Sequence, residues 1–415
     1  MLISTIRRTL LMLQLTVLIP SSASAYSVLT HEALVDSSWD TTLKPILLRR
    51  FPHTTAAQLR DAHAYAYGGS IIQDVGYYPF GSKFFSDLVH YVRSGDFVMR
   101  LLADAKDVNE YAFALGALSH YGADSTGHPE AVNVAEPLLY PKIRRKYGNV
   151  VTYEDNPGAH LKTEFGFDVV EVARGNYAPQ SYHDFIGFQV CKDLLERAFE
   201  DTYSVPLDSV FGDLDLALGT YRHIVSSLIP EMTKAAWAAK KDDIRKAHPG
   251  ITERQFIYRI SHSDYEKEWG GKYEKPGSGD HILAFMFKVL PKVGPLKALG
   301  FKTPNAECEA LFIRAFDHTL VRLRSYDSEV LAHDLHLANV NFDTGKPVRQ
   351  GEYHMADDAY GKLLDTYADK QIRPSERMRA NILAFYRDPG QITDPKALTE
   401  LNALRQTSVV HRTAR

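Results

Sequence analysis

The sequence predicts an all-α fold, with a helical domain over residues 26–239 and a further helical region over residues 240–415. Three observations carry that reading. Tyr111 to Leu118 (YAFALGAL) is apolar almost all round, as a buried helix is. Phe84, Phe85, Leu88, Val89 and Val92 fall on one arc at helical spacing. Strand-like alternation is scarce, and no repeat of about 20 to 50 residues stands out. At 415 residues the chain has room for two domains, or for one large domain with an appendage. A formal net charge of −3 without a basic cluster argues against binding duplex nucleic acid.

Arg7 and Arg8 precede an apolar run, Leu10 to Ile19, which ends in the small residues Ala23-Ser24-Ala25. This pattern predicts a secretory signal peptide over residues 1–25, cleaved before Tyr26, and hence a periplasmic or secreted mature protein. The paired arginines admit twin-arginine export, but the rest of that motif is poor and general secretion fits better. The run is too short for a membrane span, and no other stretch is long and apolar enough for one. Cys191 and Cys308 allow one disulfide in such a compartment. Cleavage would leave Tyr26 with a free α-amine, five residues before His31. Amine nitrogen and carbonyl oxygen can chelate a Lewis acid, with His31 approaching from the first helix turn. The plain alternative is that Tyr26 is a new terminus and His31 a polar residue at a helix start.

Thr54 and Thr55 can cap a helix from Ala56 to about Tyr67, which Gly68-Gly69 is expected to loosen. Residues 71–81 (IIQDVGYYPFG) read as a loop carrying Asp74 with the aromatics Tyr77, Tyr78 and Phe80. A short helix from Phe84 to Arg93 is expected to stop at Gly95. His90 points away from its apolar arc, so it faces either solvent or a site. His120, Asp124 and His128 follow at intervals of four, which stacks three ligand-type side chains on one helix face. His160 and Glu164 repeat that spacing. Helical patterns continue at 188–202 and 206–239, with a boundary expected at the lysine-rich 240–246 and Pro249-Gly250. A Gly/Lys/Glu-rich loop (266–280) and helices at 281–290, 306–339, 357–370 and 374–386 come next, and then a polar tail. In this last third His333 and His336 read as ordinary helix surface, and no motif carries evident chemistry.

His31, Asp74, His90, His120, Asp124, His128, His160 and Glu164 all fall early in the mature chain. Eight such groups suffice for three zinc sites with open positions. The ordered set resembles the zinc-dependent phospholipase C/D family, which is related to the single-strand-specific zinc nucleases. The resemblance rests on a processed N-terminus with a histidine five residues on, a loop aspartate, His90 in LVHY, H-x-x-x-D-x-x-x-H at 120–128 and H-x-x-x-E at 160–164. The stretches HYGADSTGH and AHLKTEFGFD look most like the catalytic domain of the glycosylphosphatidylinositol-specific phospholipase D branch. The resemblance spans residues 26–235 or so.

Carried over by position, the resemblance implies one zinc on Asp74, His90 and His120 and a second on the Tyr26 amine and carbonyl with His31, bridged by Asp124. A third would take His128, His160 and Glu164. Two departures stand out: Tyr26 replaces the tryptophan usual in the bacterial enzymes, and the Asp124–His128 interval is the short one of the phospholipase D branch. The implied chemistry is phosphoester hydrolysis by zinc-activated water, with Asp74 as the proton acceptor. Tyr77, Tyr78 and Phe80 would then line the pocket mouth and receive a choline-type head group or a stacked base, or else fill core. The expected substrate is a phospholipid or other phosphodiester. The alternatives are a single-strand nuclease and, from a different class, a non-catalytic zinc-stabilised binding module.

Overall fold

The computed structural model describes residues 28–168, 188–225, 300–387 and 395–413, with scattered positions between 234 and 253. Among these residues there is no strand, only an isolated bridge between Val340 and Pro347. No described helix is long and apolar enough to cross a membrane. Tyr26 and the signal-like segment lie outside the described residues, as do most of 206–239 beyond Val225, the 266–280 loop and the helix expected at 281–290.

The centre of the fold is a pair of helices, α3 (Ala56–Ile71) and α6 (Val108–Gly127). Thr55 starts α3 with a capping box, its hydroxyl accepting from the Gln58 N–H while the Gln58 side chain accepts from the Thr55 N–H. The helix does not loosen at Gly68-Gly69 but runs on to Ile71. The reason is packing. A Cβ on Gly69 would fall on the Phe113 carbonyl of α6, and one on Gly116 would fall on the Ala66 carbonyl of α3. The two glycines let the backbones meet face to face, and that tertiary gain overrides glycine's poor helix propensity. Asp107 caps α6 by accepting from the N–H groups of Asn109 and Glu110.

Around this pair lie α1 (Val28–Ser38), α2 (Lys44–Arg50), α4 (Lys83–Tyr91) and α5 (Ser94–Asp104). The helix expected over 84–93 ends earlier than Gly95. Arg93 adopts a left-handed conformation (φ 51°), and Gly95 sits inside the next helix. Arg93 is held there by Asp96 at 2.7 Å and by donating to the Thr202 carbonyl. Beyond α6 a π turn (His128–Val132) leads into α7 (Asn133–Leu139), α8 (Pro141–Tyr147), α9 (Pro157–Phe167), α10 (Lys192–Tyr203) and α11 (Leu214–His223).

The C-terminal region contributes α12 (Ala306–Ala332), α13 (His354–Lys370), α14 (Glu376–Phe385) and α15 (Pro395–Thr413). Two expectations change here. The helix expected over 306–339 ends at Ala332, and the polar tail contains a helix. His333 and His336 are exposed just past α12. These helices share one hydrophobic core with the first domain, which joins Leu118 and Phe85 to Phe316, Leu363 and Leu401. Across α12 and α6, Leu323 packs on Gly122 and Arg322 donates to the Thr126 hydroxyl at 2.8 Å. Cys191 and Cys308 are free thiols rather than a disulfide, and Cys308 is buried against the Ala135 carbonyl.

One distant side chain fixes the start of α1. Asp168 accepts from the Leu29 N–H (2.9 Å), the Thr30 N–H (3.0 Å) and the Thr30 hydroxyl (2.5 Å). A carboxylate there satisfies orphan donors and complements the helix dipole. Asp168→Ala is expected to cost about 2 kcal/mol of stability, because three buried donors lose a charged acceptor. Urea unfolding would measure it, and a loss near zero would contradict the capping role.

Candidate metal centre

Helix α6 carries His120 and Asp124 on one face, and His128 continues that face at the helix end. All three are buried. Around Asp124 the fold gathers three imidazoles from three helices. Its Oδ1 lies 3.3 Å from His31 Nε2 on α1, and its Oδ2 lies 3.1 Å from His120 Nε2 and 3.5 Å from His90 Nε2 on α4. Asp74 Oδ1 approaches His90 Nε2 at 3.3 Å. Ligand atoms of Asp74, His90, His120 and Asp124 all lie within 4.8 Å of one another.

Local structure explains the aim of each ring. Asp74 sits not in an open loop but on a 3-10 turn (Ile72–Tyr77) that continues α3. Ser86 of α4 ties that turn down, donating to the Gln73 carbonyl and accepting from the Gly76 N–H. His90 Nδ1 donates to the Ser86 carbonyl at 2.8 Å, and His120 Nδ1 donates to the Ser70 carbonyl of α3 at 2.9 Å. Both rings therefore present Nε2 to Asp124, the usual division of labour in a metal-binding histidine. The glycine contact between α3 and α6 brings Ser70 close enough to orient His120.

A second set forms where α9 meets the end of α6. Glu164 Oε1 lies 2.8 Å from His160 Nε2 and 3.7 Å from His128 Nε2. The structure adds two carboxylates here that the sequence reading missed. Glu136 of α7 has Oε2 3.6 Å from His160 Nδ1. Asp343, from the segment between α12 and α13, has Oδ1 3.0 Å from His128 Nδ1. Ligand atoms of His128, His160 and Asp343 also lie within 4.8 Å of one another. Glu136 continues the four-residue spacing 120, 124, 128 by eight more, a visible signal. Asp343 has no such signal, because 215 residues separate it from His128.

The electrostatics suit a cation. His90 Nε2, His120 Nε2, His128 Nε2 and both oxygens of Asp124 and Glu164 are buried without a hydrogen-bond partner. Buried polar atoms left in that state cost stability unless something binds them. Imidazole nitrogen and carboxylate oxygen are good zinc donors. Burial alone would raise the Asp124 pKa, yet the His120, His31 and His90 imidazoles hold it well below the ordinary range. Burial, with His120 alongside, lowers His31, and burial pushes His160 down to about 3. Those two rings are neutral and ready to ligate. Burial, with Asp74 and Asp124 nearby, pushes Glu164 well above a normal carboxylate. Burial also opposes charge on Asp343, but the His128 hydrogen bond outweighs it and brings the carboxyl to about 2.

His90 gives a pH prediction. Burial opposes its charge, but the Asp124 and Asp74 carboxylates facing Nε2 at 3.5 and 3.3 Å win and raise its pKa to about 10. In the metal-free protein this ring is charged, and its contribution to stability is fully present below about 6.5 and lost as pH rises through about 10. A metal at Nε2 must displace that proton. Zinc affinity is therefore expected to rise with pH between 6.5 and 10, by about tenfold per unit for each proton released. Chelator competition across that range measures it, and a flat profile would contradict the assignment of His90.

The aromatic residues near Asp74 divide. Tyr77 is buried with its ring 5.6 Å from His90, and it pairs with Tyr153. Tyr78 packs on Tyr221 with ring centroids 4.2 Å apart, and Phe80 is 45% exposed at a left-handed turn. Tyr77 therefore stands as a buried ring against the ligand set. Tyr26 lies outside the described residues, so a chelate at the cleaved terminus is neither seen nor replaced. A family model for zinc-dependent phospholipase C matches residues 30–213, which include all eight ligand-type side chains expected from the sequence, from His31 to Glu164. No curated protein and no solved structure gives a significant match.

Proposed function

Because residues 30–213 belong to the zinc-dependent phospholipase C family, we propose that the chain is a secreted phosphodiesterase that cleaves phospholipid head groups at a three-zinc centre. The observation that carries this reading is the Asp124 carboxylate set within reach of His31, His90 and His120. One ion would sit on Asp74, His90 and His120, and a second on His31 with the cleaved terminus at Tyr26. Asp124 would be shared between these two ions. A third would sit on His128, His160 and Glu164. When bound, zinc supplies Lewis-acid activation of water and of a phosphoryl oxygen.

The chain's own residues do the rest. Asp74 stands beside the cluster with a carboxylate oxygen 3.3 Å from His90, placed to take the proton of the attacking water. Burial of every described ligand keeps competing solvent away and strengthens each electrostatic contact. Tyr77, next to His90, offers an aromatic wall to a head group entering beside Asp74.

The test uses mature protein starting at Tyr26, loaded with zinc, with phosphatidylcholine and single-stranded DNA offered in parallel. Phosphocholine and diacylglycerol, or choline and phosphatidate, support the reading and fix the bond cleaved. Nucleotides as the sole products would transfer the site to the related nucleases. No product from zinc-loaded protein would overturn the phospholipid assignment.

A further inference from the structure

We propose that the metal centre is completed from outside the family-matched domain, with Asp343 as the positioning residue that fixes His128 so that Nε2 is its ligand atom. The inference rests on the zinc-centre part of the reading above and not on the substrate.

Asp343 is presented by a built turn. The Asn341 side-chain oxygen accepts from the N–H groups of Asp343 (2.8 Å) and Thr344 (3.1 Å), and the Asn341 carbonyl accepts from the Gly345 N–H at 2.8 Å. The turn is fastened to the first domain on both sides. Val340 exchanges hydrogen bonds with the Ser94 hydroxyl at 2.6 and 3.0 Å, and the Phe342 N–H donates to the His90 carbonyl at 3.3 Å. Asn133 donates to the Asp343 carbonyl at 2.8 Å. The Phe342 ring covers His90 and His120, with centroids at 5.1 and 5.8 Å. One short segment therefore touches both halves of the ligand set.

Both oxygens of the Asp343 carboxylate already have donors. Oδ1 accepts from His128 Nδ1 at 3.0 Å, while Oδ2 accepts from the Tyr153 N–H at 2.9 Å and the Tyr353 hydroxyl at 2.7 Å. A carboxylate so engaged is better placed to orient a ligand than to become one. With Nδ1 committed, the His128 ring can offer only Nε2, and Nε2 faces Glu164 Oε1 at 3.7 Å. A carboxylate behind a ligating imidazole fixes its tautomer and raises its basicity, and loss of such a partner costs about 10- to 100-fold in metal affinity.

The experiment measures zinc stoichiometry and affinity by chelator competition on the full mature chain, for wild type, Asp343→Asn, Asp343→Ala and Tyr353→Phe. One of the bound ions is expected to weaken about 10- to 100-fold in Asp343→Ala and less in Asp343→Asn, which keeps an acceptor. Tyr353→Phe is expected to shift in the same direction by a smaller factor. Unchanged affinity in both Asp343 variants would overturn the proposal. A second measurement needs no variant: nitrogen-detected NMR of the His128 ring in zinc-loaded wild type. A protonated Nδ1 with metal on Nε2 supports the assignment, and metal on Nδ1 overturns it. Loss of phospholipid hydrolysis in every assay, with these zinc results intact, would sink the substrate reading and leave this one standing.

Discussion

Replacing Asp124 with alanine is expected to abolish hydrolysis and to lower bound zinc in the same preparation. Among the described residues this carboxylate is the one group within 3.5 Å of ring nitrogens from α1, α4 and α6, so its loss leaves three buried imidazoles without their common anion. Those rings would then repel one another when charged and would lack a shared ligand when neutral. Metal assistance to phosphoryl transfer is worth several kcal/mol, so kcat/KM should fall on the order of 10³-fold or more. Asp124→Asn keeps the shape without the charge and is expected to fall nearly as far. Activity within about tenfold of wild type, with zinc retained, would show that the Asp124 cluster is not the reaction centre.

The second large effect is on stability and starts from two glycines far from any ligand role. Gly69→Ala and Gly116→Ala each drive a methyl group into a backbone carbonyl of the facing helix. A side chain could swing aside, but these carbonyls are locked in α3 and α6, so the helices must part. Overpacking costs about 1–3 kcal/mol in cores that can adjust, and here the upper end or beyond is expected. Parting the helices also draws the Ser70 carbonyl away from His120 Nδ1, now at 2.9 Å, so zinc affinity should fall along with the urea midpoint. A double variant should cost less than the sum of its parts, because both methyl groups open the same interface. A change below about 0.5 kcal/mol in either single variant would contradict the close-contact account.

These two cases also show what the sequence made legible. The spacing of His120, Asp124 and His128 is a local property of a helix, so the shared face could be read without tertiary information. The same holds for His160 and Glu164 on α9 and for the Thr55 cap. The Gly68-Gly69 pair misled because propensity is local while the reasons for these glycines are distant: Gly69 meets a partner helix some 45 residues on, and Gly68 meets the Gln189 backbone. The end of the helix carrying His90 was misplaced for a similar reason. Arg93, not Gly95, takes the left-handed position, held by Asp96 and Thr202.

Asp343 was invisible for a stronger reason. It lies in a turn, Asn341 to Gly345, with no periodicity that could aim it at a site. Its partners His128, Tyr153 and Tyr353 come from three separate stretches of chain. Local patterns find residues that share an element, and a contact made only by the packed core escapes them. The C-terminal region therefore read as a further helical region without evident chemistry, although its helices and the first domain bury one core.

Anomalous diffraction at the zinc edge, on crystals of the mature zinc-loaded chain, tests the central claim most directly. The account predicts three peaks: one among Asp74, His90, His120 and Asp124, one between His31, Asp124 and the Tyr26 terminus, and one among His128, His160 and Glu164. Absence of peaks at these side chains, or ions bound only elsewhere on the chain, would contradict it.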